Sequence, residues 1–476
     1  MRTKDEYFED LKGLKPNIYI GGEVVGRDDP RIQPGKNIIA LTFDAQEDSE
    51  RKELVTATSH LDGANINRFT HVHRGMEDLL AKQKMTRILC RDCGSCIQRC
   101  MGVDAINALS AVTYDCDKDR GTEYNGRFLE FLKRFQKGNM VGCCAQSDVK
   151  GDRTKRPHQQ TDPDLYLRIV ERKKDGIVVR GAKAHNTMAP YAEEIIAIPT
   201  RFLTPEETDW AVAFAVPADT PGVRLLTRVT SVRPRRPEID APYVRLGAAD
   251  SLTVFDDVFV PNERVFLCGE TEYGGRLALL FALFHRHSYT GCKPAVTDIM
   301  MGAAALVSEY NGIERSTHVR DKLAELVSVA ELTYSAGIAA AVESTKHPSG
   351  TQIPNVVYCN VGRRHAGLNI YHEYETVCDL AGGLPATLPY DEEFLSPEVG
   401  HLLKKYIKRK DDVSAEDQYR CFRFISDVSV SALGGVLQYA GVHGGGSPVM
   451  ENIAIMGTYD IEEKKRLVKK LAGIAQ

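Results

Sequence analysis

The hydrophobic period of this chain changes twice, and that double change limits the folds open to it. Up to about residue 140 the apolar positions recur at helical spacing, as in MEDLLAKQKMTRILC (76–90) and GRFLEFLKRFQKGN (126–139). A polar stretch with Gly and Pro, VGCCAQSDVKGDRTKRPHQQTDP, then reads as a long functional loop. After it the period drops to two. Strands are expected within 166–185, 193–203, 210–218 and 251–261, with Asp175-Gly176 as a hairpin turn. From about residue 275 the helical period returns. Long helical runs cover 294–345, 355–383 and 414–441, the second closed by Gly382 and Gly383. The order predicts an α+β protein in three parts: helices over 1–140, a β-domain over 141–275 and a helical bundle over 276–476.

A length of 476 residues suffices for two or three domains with a large core. Charged residues make up 26% and the net charge is -4, so nothing favours nucleic acid or an anionic membrane. The charged start MRTKDEYFEDLKGLKPN is unlike a signal peptide, and no run of about 18 apolar residues predicts a membrane span. The expected location is the cytoplasm. There, twelve cysteines are buried thiols, metal ligands or redox groups rather than a disulfide framework.

Four of those cysteines crowd into CRDCGSCIQRC (90–100). Cys90, Cys93, Cys96 and Cys100 have the C-x2-C-x2-C-x3-C spacing of bacterial ferredoxins, although Met101 replaces the usual Pro and the run is not repeated. A zinc knuckle and four buried helix cysteines are the alternatives. A second segment, HRHSYTGCK (285–293), adds His285 and Cys292. On helices, residues four or seven apart share a face, so Cys96 with Cys100 and His285 with Cys292 would present three thiolates and an imidazole to one point. Soft sulfur donors favour an iron–sulfur cluster or zinc. Tyr289 and Lys293 follow His285 by one and two turns and would line the same cavity, offering a proton donor and a cation. By themselves, a His and a Cys on a bundle helix are more often packing residues. SDVKGDR (147–153) and RGAKAHNTM (180–188) carry backbone donors and cations suited to a flavin pyrophosphate, or else form ordinary turns. AGGLP (381–385) and HGGGSP (443–448) read as helix stops or as places where backbone approaches a ligand closely.

DVKGDR, DPDLYLRIVE, DGIVVRGAKAHNT, FDDVFVPNERVF, AGG and HGGGSP together resemble the 4-hydroxyphenylacetate 3-monooxygenase/4-hydroxybutyryl-CoA dehydratase superfamily over nearly the whole chain. CIQRC with HRHSYTGC resembles its 4-hydroxybutyryl-CoA dehydratase/vinylacetyl-CoA Δ-isomerase branch. The resemblance implies an acyl-CoA dehydrogenase-like fold with a middle β-barrel, assembled as a homotetramer. It implies a [4Fe-4S] cluster on Cys96, Cys100, His285 and Cys292. It also implies FAD held by Gln146, Ser147, Lys150, Asp152, Arg153, His185, Asn186 and Thr187. The implied reaction is radical dehydration of a hydroxyacyl-CoA, with His285, Tyr289, Lys293 and Asp250 as the catalytic set.

The chain also departs from that pattern. Asp250 stands where the dehydratases carry an acidic residue, and Ala440 stands where they carry Glu. Val149 replaces a usual Pro, and Cys90 and Cys93 are additional thiols. A different hydroxylated substrate for the same mechanism, a flavin-dependent aromatic hydroxylase and an electron-transfer protein are the competing readings.

Overall fold

The computed structural model describes residues 1–230, 236 and 238–474. The helix Met76–Cys93 begins with Glu77 and Asp78 and ends with Arg91, the charge order that complements a helix dipole. It stops at Gly94, whose φ of 61° is left-handed and whose N–H returns to the Arg91 and Cys90 carbonyls. The next helix, Cys100–Arg120, begins only at Cys100. Cys96 therefore does not share a helix with Cys100, as its spacing had implied. It lies in the connection between two helices, where Gln98 also takes a positive φ of 63°. The glycine cap ends the first helix at Cys93, three residues before Cys96, so the helical argument does not apply.

The strands form two sheets. The larger runs in the order Glu23–Val25, Ile18–Ile20, Val223–Val229, Ala249–Pro261, Gly176–Thr187, Arg168–Arg172. The smaller runs Val265–Cys268, Val212–Pro217, Glu194–Ala197, Gly142–Ala145. Among the described residues they do not close into the expected barrel. Strands at both ends of each sheet have one neighbour only, and the sheets meet through side chains and a short backbone bridge from the segment after Gly142–Ala145 to Gly176–Thr187. Phe214 of the small sheet meets Phe255 of the large one edge to face, with centroids 5.6 Å apart. The strand Ile18–Ile20 pairs in parallel with Val223–Val229, so the chain's beginning is stitched into the larger sheet.

The later helices build a bundle around Thr271–Tyr310, which packs against Thr317–Val342 and Val356–Ala381. The expected helical run 294–345 is broken between Tyr310 and Thr317, where Gly312 has φ 74°. The run 414–441 is likewise two helices, Ala415–Ser429 and Ala432–His443, the second capped by the Ser431 side chain. One described helix, Thr317–Val342, is long and apolar enough to cross a membrane by length and composition, which the sequence reading had not anticipated. Its Leu326, Val329, Ala330, Ala340 and Ala341 are buried, while Val327, Leu332, Ile338 and Val342 are exposed.

Close contacts hold the two halves together where the site forms. A Cβ on Gly102 would lie 2.6 Å from the Gly142 carbonyl oxygen, and one on Gly291 would lie 2.5 Å from that of Gln83. Glycine lets helix 100–120 approach the small sheet, and helix 271–310 approach helix 76–93, at backbone distance.

Candidate active site

Three segments converge below the larger sheet: the 94–99 connection, the start of helix 100–120 and the middle of helix 271–310. The Cys96 thiol contacts those of both Cys100 and Cys292, and these two contacts are the main causes that hold it well below the ordinary thiol range, with His285 adding to the effect. Cys100 is pushed the other way by its contact with Cys96 and by burial. The Cys100 thiol, an Asp104 oxygen and a His285 ring nitrogen all lie within 4.8 Å of one another. The four residues implied as cluster ligands therefore meet at one place. Cys90, outside that implied set, is fully buried and contacts Cys292. Its sulfur accepts from the Ile97 N–H at 3.2 Å, while the Cys96 sulfur accepts from the Gln98 N–H at 3.4 Å. Of these thiols Cys96 is the partly exposed one, and the His285 side chain keeps 15% exposure, so the centre opens on that side.

His285 is held on two faces. Its ring stacks on Phe281 at 5.7 Å with 7° between planes. Its Nδ1 lies 2.9 Å from Asp104 Oδ2. Asp104 is completely buried and also pairs with Lys82 and accepts from the Ser288 hydroxyl at 2.9 and 3.0 Å. Burial alone would raise its carboxyl, but Lys82 and His285 outweigh it and hold the group below the ordinary carboxylate value. Sequence reading missed Asp104, Lys82 and Ser288. One signal was available: Asp104 is one turn after Cys100 and so shares its helix face.

Tyr289 and Lys293 do not point into open space. The Tyr289 hydroxyl donates to the Gly441 carbonyl at 2.7 Å, and the Arg363 guanidinium lies 4.2 Å from the Tyr289 ring centroid. Burial pushes the Tyr289 phenol up. Lys293 is buried in an ion pair with Glu373, a residue sequence reading did not single out. The HGGGSP loop covers His285 from the other side. Gly445 has φ 81°, its carbonyl accepts from Arg286 Nε at 2.9 Å, and a Cβ there would lie 3.6 Å from His285 Cδ2. Helix 432–443 ends here with Gly444 as its cap, so the helix-stop reading of this segment holds, and Gly445 lies against His285 and Arg286.

The residues expected to meet FAD lie along one edge of the large sheet. A buried ion pair pins the 146–153 loop: Lys183 Nζ lies 2.8 Å from Asp148 and donates to the Gln146 and Ile198 carbonyls at 3.0 and 2.9 Å. Lys150 and Gly151 turn with φ 77° and 51°. Lys150 is lowered first by burial and then by the nearby cations Arg153, Lys183 and Arg201, and Lys183 is paired with Asp148. Ser147 accepts the Ala184 N–H at 2.7 Å, and Gln146 donates its amide to the Ala278 carbonyl at 3.1 Å. Asp152 is exposed and caps a local turn through Thr154. His185 has φ 58°, and the buried Asn186 donates to Thr253 at 2.8 Å while its Oδ1 has no partner. Asp250 pairs with Thr187 across the sheet. Burial raises its carboxyl, which also feels His185 and Cys96, so it stands between the flavin-type turn and the thiols.

Helical layers on two packed sheets thus place a centre of thiols and an imidazole beside a cation-lined loop. Family models confirm the lineage. That for the N-terminal part of 4-hydroxyphenylacetate 3-hydroxylase matches residues 3–267, and that for its C-terminal part matches 275–473. The chain is 38% identical to the 4-hydroxybutyryl-CoA dehydratase/vinylacetyl-CoA-Δ-isomerase of Clostridium aminobutyricum, covering 100% of both chains. An oxygen-tolerant archaeal 4-hydroxybutyryl-CoA dehydratase from N. maritimus superposes with a TM-score of 0.95 at 36% identity, covering 100% of this chain and 95% of that one. The oxygenase component of 4-hydroxyphenylacetate 3-monooxygenase, solved with FAD, shares the fold with a TM-score of 0.89 at 24% identity, over 99% and 98% of the two chains. The chain belongs to the 4-hydroxyphenylacetate 3-hydroxylase family, in its 4-hydroxybutyryl-CoA dehydratase branch, and is an enzyme of the hydro-lyase class.

Proposed function

We propose that this enzyme dehydrates a 4-hydroxybutyryl-CoA-like hydroxyacyl substrate with FAD and a [4Fe-4S] cluster, with vinylacetyl-CoA Δ-isomerase as a second activity. The observation that carries the reading is the convergence of Cys96, Cys100, Cys292 and His285 from three segments onto one point, with Asp250 linking that point to the loop expected to hold FAD. Three thiols and one imidazole suit iron–sulfur chemistry. The cations Lys150, Arg153 and Arg201 around a positive-φ turn suit a pyrophosphate. When bound, the cluster would supply a Lewis acid for the departing hydroxyl and the flavin a transient one-electron acceptor.

The chain's own residues do the rest. The Phe281 ring and the Gly445 backbone close two sides of His285 and leave its approach to one open side. Asp250, raised by burial, holds or takes a proton between the two cofactor sites. Tyr289 and Lys293 are fixed by Gly441 and Glu373, so their part is to set charge and shape around the substrate. The exposed apolar residues Leu332, Ile338, Leu368 and Tyr371 on two bundle helices fit the homotetramer the family implies.

Anaerobic purification with iron, sulfide and flavin analysis tests the reading. Flavin and iron together, and turnover of 4-hydroxybutyryl-CoA lost in Cys292→Ala, are expected. A flavoprotein without iron that hydroxylates phenols, and keeps doing so in Cys292→Ala, would replace it with the monooxygenase reading. That reading draws on the 27% identity to the Thermus thermophilus 4-hydroxyphenylacetate 3-monooxygenase oxygenase component.

A further inference from the structure

We infer that Asp104 is a positioning residue for His285, fixing the imidazole so that its Nε2 is the nitrogen offered to the metal centre. The inference rests on the cluster reading above and assigns a role to a residue outside the proposed ligand set. Asp104 and Lys82 form a fully buried pair. The carboxylate also receives the Ser288 hydroxyl on both oxygens, at 3.0 and 2.9 Å. A carboxylate so surrounded by donors is an acceptor only. The His285 Nδ1 at 2.9 Å must then carry the hydrogen, which leaves the lone pair on Nε2. The Phe281 ring, stacked at 5.7 Å and 7°, removes the remaining rotational freedom.

The placement follows from the fold. Asp104 is one turn beyond Cys100 on helix 100–120, and Ser288 is one turn beyond His285 on helix 271–310. Lys82, on helix 76–93, also donates to the Phe284 carbonyl at 3.3 Å, next to His285 in the chain. One carboxylate thus ties helix 76–93 to the two helices that carry Cys100, His285 and Cys292. Histidine ligands commonly donate their second nitrogen to such a carboxylate, which sets ring orientation and basicity.

A direct ligand role for Asp104 is the rival, because its oxygen lies within 4.8 Å of both the Cys100 sulfur and the His285 ring nitrogen. The full-length enzyme, prepared anaerobically with 57Fe, distinguishes the two. In Asp104→Asn the iron and sulfide content per chain should stay at the wild-type level. The Mössbauer signature of the histidine-bound iron should change, and kcat should fall about 10- to 100-fold with KM little altered. If the lone buried lysine prevents folding, Lys82→Met/Asp104→Asn removes both charges and should show the same pattern. An iron content reduced in step with loss of one site would make Asp104 a ligand and overturn the positioning role. An unchanged signature and unchanged kcat would overturn it as well. Wild-type protein without iron would instead overturn the cluster reading on which it rests.

Discussion

At the scale of single residues, the site is built from charges that have lost their water and must be compensated by one another. Lys293 and Glu373 are the clearest pair: one is 3% exposed at the side chain, the other 0%, and the Glu373 oxygen also accepts from Thr297 at 3.3 Å. Removing one partner of a buried pair leaves an uncompensated charge, at a cost of about 3–5 kcal/mol, whereas replacing both is often nearly neutral. Lys293→Met should therefore lower the thermal midpoint strongly, and Lys293→Met/Glu373→Gln should restore it. Activity should stay low in both if the lysine charge shapes the substrate cavity. Recovery of kcat along with stability in the double variant would reduce Lys293 to a packing element. The melting curve and kcat measured on the same preparations separate these outcomes.

At the scale of elements, the decisive feature is a helix that ends on time. Gly94 holds φ 61°, and a Cβ there would meet the Tyr243 ring at 2.6 Å. Gly94→Ala combines a left-handed alanine, worth about 1–3 kcal/mol of strain, with that collision. Helix 76–93 should then run on toward Cys96 and pull its sulfur away from Cys100 and Cys292. A drop in bound iron larger than the drop in helix content by circular dichroism is expected, and full iron occupancy would count against the cap's role. This element also shows what local sequence can convey. Helical periodicity located 76–93 and 124–137, because that signal needs only neighbours along one face. The cysteine spacing gave an incorrect geometric reason for bringing Cys96 to Cys100, since their approach comes from a turn between helices. Strand alternation marked Gly176–Thr187 and Ala249–Pro261, and the Asp175-Gly176 turn gave the antiparallel pairing of Arg168–Arg172 with Gly176–Thr187, but no signal gave the other partners. The parallel partnership of Ile18 with Leu225 therefore went unseen, and the single barrel implied by the family resemblance is two sheets. Asp104 was visible as a neighbour of Cys100 on one helix face, whereas Lys82 and His285 reach it only through tertiary packing.

At the scale of the whole molecule, one buried histidine couples the fold to pH. His73 has no exposure, and among the described residues neither ring nitrogen has a hydrogen-bond partner. Its backbone N–H donates to Asn107 at 2.8 Å, its carbonyl accepts from Gln352 at 2.8 Å, and its ring lies 6.1 Å from that of Phe284. It thus sits where the N-terminal segment, helix 100–120, helix 271–310 and the 345–353 hairpin meet, a junction that cannot open in one element alone. Burial, with Lys82, His71 and His287 adding to it, lowers its pKa well below the ordinary 6.5. The folded chain keeps this ring neutral while the unfolded chain protonates it below about pH 6.5, so the unfolded state binds more protons there. Stability is therefore complete above that pH and declines as the pH falls, by about 1.4 kcal/mol per pH unit for one such group. His60, lowered to about 4 mainly by burial, is only partly buried and adds a smaller loss in the same direction. Melting temperatures of the full-length protein should fall steadily from about pH 7 to about pH 5, and His73→Gln should flatten that slope even if it lowers the midpoint at neutral pH. A wild-type midpoint that does not change across this interval would mean that His73 finds a proton partner in the folded state, and the junction would then be polar rather than sealed.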